Sequence, residues 1–198
     1  SKDKTEEILE KNEIQHIKLI HNLGIGGAVQ TGYKYAMENN YDIVVQFDGD
    51  GQHDINYVKD LIKPIIIDKA DMVIGSRFID ETTSKFKSSL ARRIGINIIS
   101  NVIKFKTGVK IYDTTSGFRA VNKNVIKLFC ESYPREYPET ISTVEVLNNN
   151  LNVTEIGVSM NERSGGVSSI KSWKTAYYMM NVTLSILLTE KKGGKNGK

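Results

Sequence analysis

The sequence predicts an α/β protein with a mixed, mostly parallel sheet flanked by helices. Three observations carry that reading. Strand-like and helix-like segments alternate as βαβαβ up to Ser76, a rhythm that suits a sheet covered by its own crossover helices. The run YDIVVQF (Tyr41–Phe47) is rich in β-branched and aromatic residues, as a core strand is, and it ends abruptly in DGDG (Asp48–Gly51). The chain has 198 residues, 39% hydrophobic and 25% charged, which is enough for about one domain with a buried core.

Each element follows in order. Asp3 to Asn12 is polar with helical character, and IQHIKLIHN (Ile14–Asn22) reads as the first strand. Ile25 to Asn39 carries small and apolar residues at helical spacing, and Tyr41–Phe47 is the second strand. Asp54 is a good N-cap for a helix running towards Asp68, with Pro64 kinking or shortening it. ADMVIGS (Ala70–Ser76) is the third strand. Beyond it the rhythm breaks: Ser88–Lys104 is a long helix, Thr115–Val121 a short strand and Thr140–Asn149 a helix. Asn152–Met160 alternates like a strand, and Ser172–Thr189 is a final helix. There is no repeat and no linker, so residues 1–190 are expected to form one domain, with the basic, Gly-rich 191–198 a disordered tail.

Composition excludes several classes. No run approaches the ~18 apolar residues of a membrane span, and the first residues do not resemble a signal peptide. The single cysteine, Cys130, rules out an internal disulfide and a cysteine-rich zinc site. It fits a reducing cytoplasm and reads as a structural thiol within VIKLFCES. A net charge of +4 suits an anionic ligand or membrane surface but is too small to argue for nucleic acid.

The DGDG turn is the informative stretch, because a plain turn needs only one Asp-Gly. As an EF-hand loop it fails, since His53 stands where glycine belongs and Lys59 where the final glutamate belongs. A dinucleotide site has some support from Gly24-Ile25-Gly26-Gly27, but Val29 replaces the third glycine and ribose recognition uses only one acid. A phosphoaspartyl phosphatase normally has Thr or Val at the position of Gln52. What remains is Mg²⁺ or Mn²⁺ held by one or two carboxylates, with the phosphates of a nucleotide diphosphate completing the shell. Asp48 and Asp50 alternate across the strand end, so one can bind the metal while the other holds a water or the ribose.

Five pieces occur in one order: NLGIGGAVQTGYKYA (Asn22–Ala36), YDIVVQFDGDGQHD (Tyr41–Asp54), ADMVIGSRF (Ala70–Phe78), DTTSGFRAVN (Asp113–Asn122) and ERSGGVSSI (Glu162–Ile170). Together they resemble the family 2 glycosyltransferases, in the branch that includes the dolichol-phosphate mannose synthases and bacterial cell-surface polysaccharide enzymes. The resemblance spans almost the whole chain. It implies a GT-A fold, a nucleotide-sugar donor, Mg²⁺ or Mn²⁺, and inversion at the anomeric carbon. The acceptor is a cell-surface glycan or a polyprenyl phosphate, with a hydroxyl slightly favoured. Family members begin with a Pro-x-Tyr-Asn-Glu type strand and a second strand ending in Asp-Asp-Gly-Ser. Ser1–Thr5 resembles only the end of that second motif, which implies a fragment of a longer enzyme and leaves a catalytically incomplete domain as the alternative.

Chemistry and resemblance together assign roles. Asp50 is the first choice of metal ligand, with Asp48 and Gln52 beside it, and His53 is expected to be structural. Asn22, Gly24, Gly26 and Gly27 bring a helix start close to the donor, where free N–H groups favour anions. Arg163, Gly165, Gly166 and Ser168 form a loop over the donor diphosphate, and Arg77 and Arg93 contact an acceptor phosphate. A hydroxyl acceptor needs a base. Glu139 is the first candidate and Asp113 the second, with turn capping an equal alternative for Asp113. The last helix, with Trp173, Tyr177 and Tyr178, packs in the core or, with Lys191, Lys192 and Lys195, rests at the inner face of the cell membrane.

Overall fold

The computed structural model describes residues 4–79, 90–161 and 172–189. Its sheet has four strands in the order β1-β3-β2-β4: β1 (Ile43–Gln46), β2 (Met72–Ser76), β3 (Arg119–Asn122) and β4 (Val153–Gly157). β3 runs antiparallel to both β1 and β2, while β4 is parallel to β2. Three strands therefore point one way and β3 opposes them, which is the expected mixed sheet.

Alternation along β2 builds the two halves of the core. All five residues of MVIGS are buried, as in a strand covered on both faces. Met72 and Ile74 face one side, where they join Ile99 and Ile103 of α4 (Leu90–Thr107), Val144 of α6 (Pro138–Asn148) and Val182 and Ile186 of α7 (Ser172–Leu188). Val73 faces the other side and meets Ala120, Phe118, Val158, and Leu61 and Ile65 of α3 (Val58–Ile66). Fully burying a side chain such as Leu61 stabilises by about 1.5–3 kcal/mol.

The remaining helices are α1 (Thr5–Lys11), α2 (Gly24–Glu38) and α5 (Lys123–Glu131). Asp54 acts as predicted: its Oδ1 accepts the N–H of Asn56 at 2.9 Å at the 3-10 turn (Ile55–Tyr57) leading into α3. Pro64 lies inside α3, which stops two residues later at Ile66. α5 went unpredicted, although its signals stand in the sequence. Asn122 caps it by accepting from the N–H groups of Asn124 and Val125, and Val125, Ile126 and Phe129 form its buried face. Cys130 is half-buried there, and burial raises its thiol pKa, in keeping with a structural role.

One expected strand does not form. Residues 14–22 adopt neither helix nor strand, and Ile14, Ile17 and Ile20 are exposed. An alternating segment becomes a strand only when a neighbour takes its N–H and C=O groups, and among the described residues no strand pairs with it. The Thr115–Val121 strand is also later than expected, because residues 113–118 turn to hold the site described next.

Candidate functional site

β1 delivers the chain at Phe47 into the aspartate turn, and the segment entering β3 forms the floor beneath it. Phe118 is buried there, with the ring of Phe47 at 6.4 Å edge-on and that of His53 at 5.0 Å. Gly117 lets Asp48 come close: a Cβ at that position would lie 3.3 Å from Asp48 Oδ2. Asp48 keeps 49% of its side chain exposed, while Asp50 accepts the N–H of Gln52 at 3.0 Å and so shapes the turn. The far side is pinned by an isolated antiparallel bridge between His53 and Met160, and by the Asn161 N–H donating to the Gln52 carbonyl at 2.9 Å.

These groups suit a divalent cation. Two carboxylates stand on one short turn, one well exposed, and next to them both ring nitrogens of His53 are buried without a hydrogen-bond partner among the described residues. Hard oxygen donors in such small number match Mg²⁺ or Mn²⁺ sites in which phosphates and waters complete the shell. The tightest trio of potential ligands among the described residues is elsewhere: Glu6, Glu10 and His16 lie by α1, and Glu6 is engaged by Lys18.

Arg77 and Asp113, expected on the acceptor side and as a base, meet each other instead. Asp113 has no exposed surface and Arg77 is 8% exposed. The guanidinium donates from Nε to Oδ2 and from Nη2 to Oδ1, both at 2.7 Å, and the Arg77 N–H adds a third bond at 3.1 Å. Nη2 also donates to Thr115 Oγ1 at 2.9 Å. A base must reach its substrate, and in this arrangement Asp113 is closed to one. The loop is held further by Glu155, which accepts the N–H groups of Tyr112 at 2.7 Å and Asp113 at 2.8 Å. Burial, with the nearby charge of Asp113, raises the Glu155 carboxyl above its usual range.

Glu139 sits half-buried in the first turn of α6, after Tyr137 in left-handed conformation. Its backbone carbonyl accepts from Arg119, a fully buried arginine that also donates to the Ser116 carbonyl and Ser142 Oγ. At the start of α2, Asn22 Oδ1 accepts the Gly24 N–H at 2.9 Å. Gly26 is needed for packing within the protein itself, since a Cβ there would lie 2.5 Å from the Pro134 carbonyl oxygen. Arg93 is exposed on α4. Arg163, Gly165, Gly166 and Ser168 lie outside the described residues, as do the tail and the start of the expected long helix at Ser88 and Ser89. The sequence reading missed Gly117 and Phe118 as the floor of the site. Their signal was the place of TSGF among the pieces that resemble the family, which spacing alone does not translate into contact.

The chain belongs to glycosyl transferase family 2, whose family model matches residues 1–129. It is 35% identical over 145 residues to a UDP-N-acetylglucosamine–dolichyl-phosphate N-acetylglucosaminyltransferase of Methanococcus voltae, covering 72% of this chain and 57% of that one. It is 29% identical over 151 residues to a polyprenol monophosphomannose synthase of Mycolicibacterium smegmatis, covering 74% and 56%. The chain thus spans little more than half the length of these curated relatives. Among solved structures it resembles the Mycobacterium tuberculosis glucosyl-3-phosphoglycerate synthase in complex with Mn²⁺, uridine diphosphate and glucosyl-3-phosphoglycerate. The TM-score is 0.63 at 15% identity, over 94% of this chain and 64% of that one. That likeness is one of fold, and the architecture is the expected GT-A type.

Proposed function

We propose that this member of glycosyl transferase family 2 carries the metal and donor site of an inverting enzyme that moves a sugar from a nucleotide diphosphate to a polyprenyl phosphate. The observation that carries the reading is the exposed aspartate turn on the Gly117–Phe118 floor. The relatives named for dolichyl phosphate and polyprenol favour the lipid phosphate over a glycan hydroxyl, and the Mn²⁺ and uridine diphosphate of the structural neighbour support the donor side.

Asp50 and Asp48, with Gln52, would hold Mg²⁺ or Mn²⁺. When bound, such an ion supplies positive charge where the leaving diphosphate develops negative charge. Asn22 and Gly24 orient the α2 N-terminus, and Arg163 with Gly165, Gly166 and Ser168 are the candidate contacts for the donor phosphates. A phosphate acceptor arrives ionised, so no proton has to be removed as it attacks. Glu139 and the closed Asp113 are then not required as bases, and Arg93 on α4 is the candidate contact for the acceptor. Exposed Ile94, Ile98 and Phe105 on α4, and Met180, Leu184 and Leu188 on α7, give an apolar surface suited to the inner face of a membrane. No helix of the described residues is long and apolar enough to cross one.

The test is sugar transfer with Mn²⁺, using a panel of nucleotide sugars and both acceptor classes. It is run on this chain and on a version extended by the N-terminal motifs family members carry. Asp50→Ala should cost on the order of 100-fold or more in rate. Near-normal turnover in that variant would end the metal assignment. Glu139→Gln should leave transfer to polyprenyl phosphate unchanged, whereas a loss of about 10²–10⁴-fold would restore the hydroxyl reading. If neither version turns over any donor, the catalytically incomplete domain is the right description.

A further inference from the structure

His53 is the least satisfied polar group beside the aspartate turn. Its side chain is 5% exposed, its ring lies on Phe118 with planes 30° apart, and among the described residues neither ring nitrogen has a hydrogen-bond partner. A neutral imidazole always presents one N–H and one lone pair, so this burial leaves a donor and an acceptor unused. Nε2 faces Asp48 Oδ2 from 3.6 Å, just beyond hydrogen-bond range.

The ring cannot easily turn elsewhere. Its backbone bridges to Met160, the adjacent Gln52 carbonyl is taken by Asn161, and Phe118 covers one face. Asp48, by contrast, is half-exposed and needs to move less than about one ångström to complete the bond.

We propose that His53 is a positioning residue for the metal site: its Nε2–H donates to Asp48 as the site assembles, turning one carboxylate oxygen inward and leaving the other for the cation. A role as direct ligand is disfavoured because both nitrogens lack accessible surface. This rests on the metal reading above. Groups that orient ligands in this way typically change metal affinity by about 10–100-fold when removed.

The experiment measures Mn²⁺ binding to this chain by electron paramagnetic resonance, for the native protein, Asp50→Ala, His53→Phe and His53→Gln. Phenylalanine keeps the ring on Phe118 and removes the donor, while glutamine offers a side-chain N–H in its place. His53→Phe should weaken Mn²⁺ about tenfold with an unchanged thermal midpoint, and His53→Gln should recover most of the loss. Native affinity in His53→Phe, or equal losses in both variants, overturns the proposal. A second measurement needs no metal: ¹⁵N NMR of the His53 ring should show Nε2 protonated and its resonance displaced by Asp48→Asn. A ring protonated on Nδ1, or one blind to Asp48→Asn, overturns the pairing. Failure of the native chain to bind Mn²⁺ counts against the metal reading, and the NMR result then judges the His53–Asp48 pair by itself.

Discussion

Asp113 opens the loop that leads into SGF and Asp48 lies against its Gly117, and the molecule treats the two in opposite ways. Asp113 is fully buried and both its oxygens face Arg77, so its charge is spent inside the protein. Asp48 keeps half its surface, and His53 Nε2 stands 3.6 Å from its Oδ2. The residue type is the same, and burial decides which carboxylate can serve a ligand. The comparison teaches that a paired, buried acid holds a loop in shape, and that the loop so held lies beneath the half-exposed acid.

The contrast can be broken by mutation, starting with the largest expected effect. Asp113→Ala strands the buried Arg77 guanidinium and should cost about 3–5 kcal/mol, read from the urea midpoint. Asp50→Ala removes the acceptor of the Gln52 N–H on a partly exposed turn and should cost about 1 kcal/mol or less. Similar losses at the two positions would erase the distinction.

Asp71 sharpens it as an intermediate case, a structural carboxylate without a cation. Burial pushes its pKa up, but the Asn152 N–H and the side-chain amides of Asn122 and Asn124 outweigh that and leave it below the usual 3.8. A depressed acid stabilises the fold above its ordinary pKa and loses that contribution as pH falls through the folded value. Asp71→Asn should therefore cost stability at neutral pH, by about 1 kcal/mol or less given the solvent screening of this mostly exposed carboxyl. The gap to the native protein should shrink as the pH drops below 3.8. A gap independent of pH would mean that shape, not charge, is what Asp71 provides.

The smallest effect on stability is expected at Gly117. A Cβ there presses the Asp48 carboxylate at 3.3 Å, and that carboxylate is the far end of a half-exposed side chain. Gly117→Ala should thus change stability by less than about 1 kcal/mol. Mn²⁺ affinity should nevertheless fall, because Asp48 is displaced. Unchanged affinity would remove Gly117 from the floor of the site.

Much of the fold was legible because its signals are local. The core strands at Val44 and Val73 announce themselves by apolar content, and Asp54 by its place before a helix. The aspartate turn was legible for a similar reason, since two acids within three residues exceed the needs of a turn. The strand expected at Ile14 failed on a non-local condition, the presence of a partner edge. The glycines at Gly24–Gly27 read as a ligand loop, yet Gly26 owes its lack of a side chain at least to Pro134, far along the chain.

By itself, then, the sequence determined the class of fold, most of the helices, and the turn at Asp48 and Asp50, because propensity, capping and periodicity act over a few neighbouring residues. Only the tertiary structure decided that Arg77 and Asp113 neutralise each other, that Phe118 and Gly117 lie under the aspartates, and that His53 is left with unused nitrogens. Those outcomes depend on which distant groups share a buried space. In that space each charge or polar group must find a partner or remain costly, and no local pattern specifies the partner.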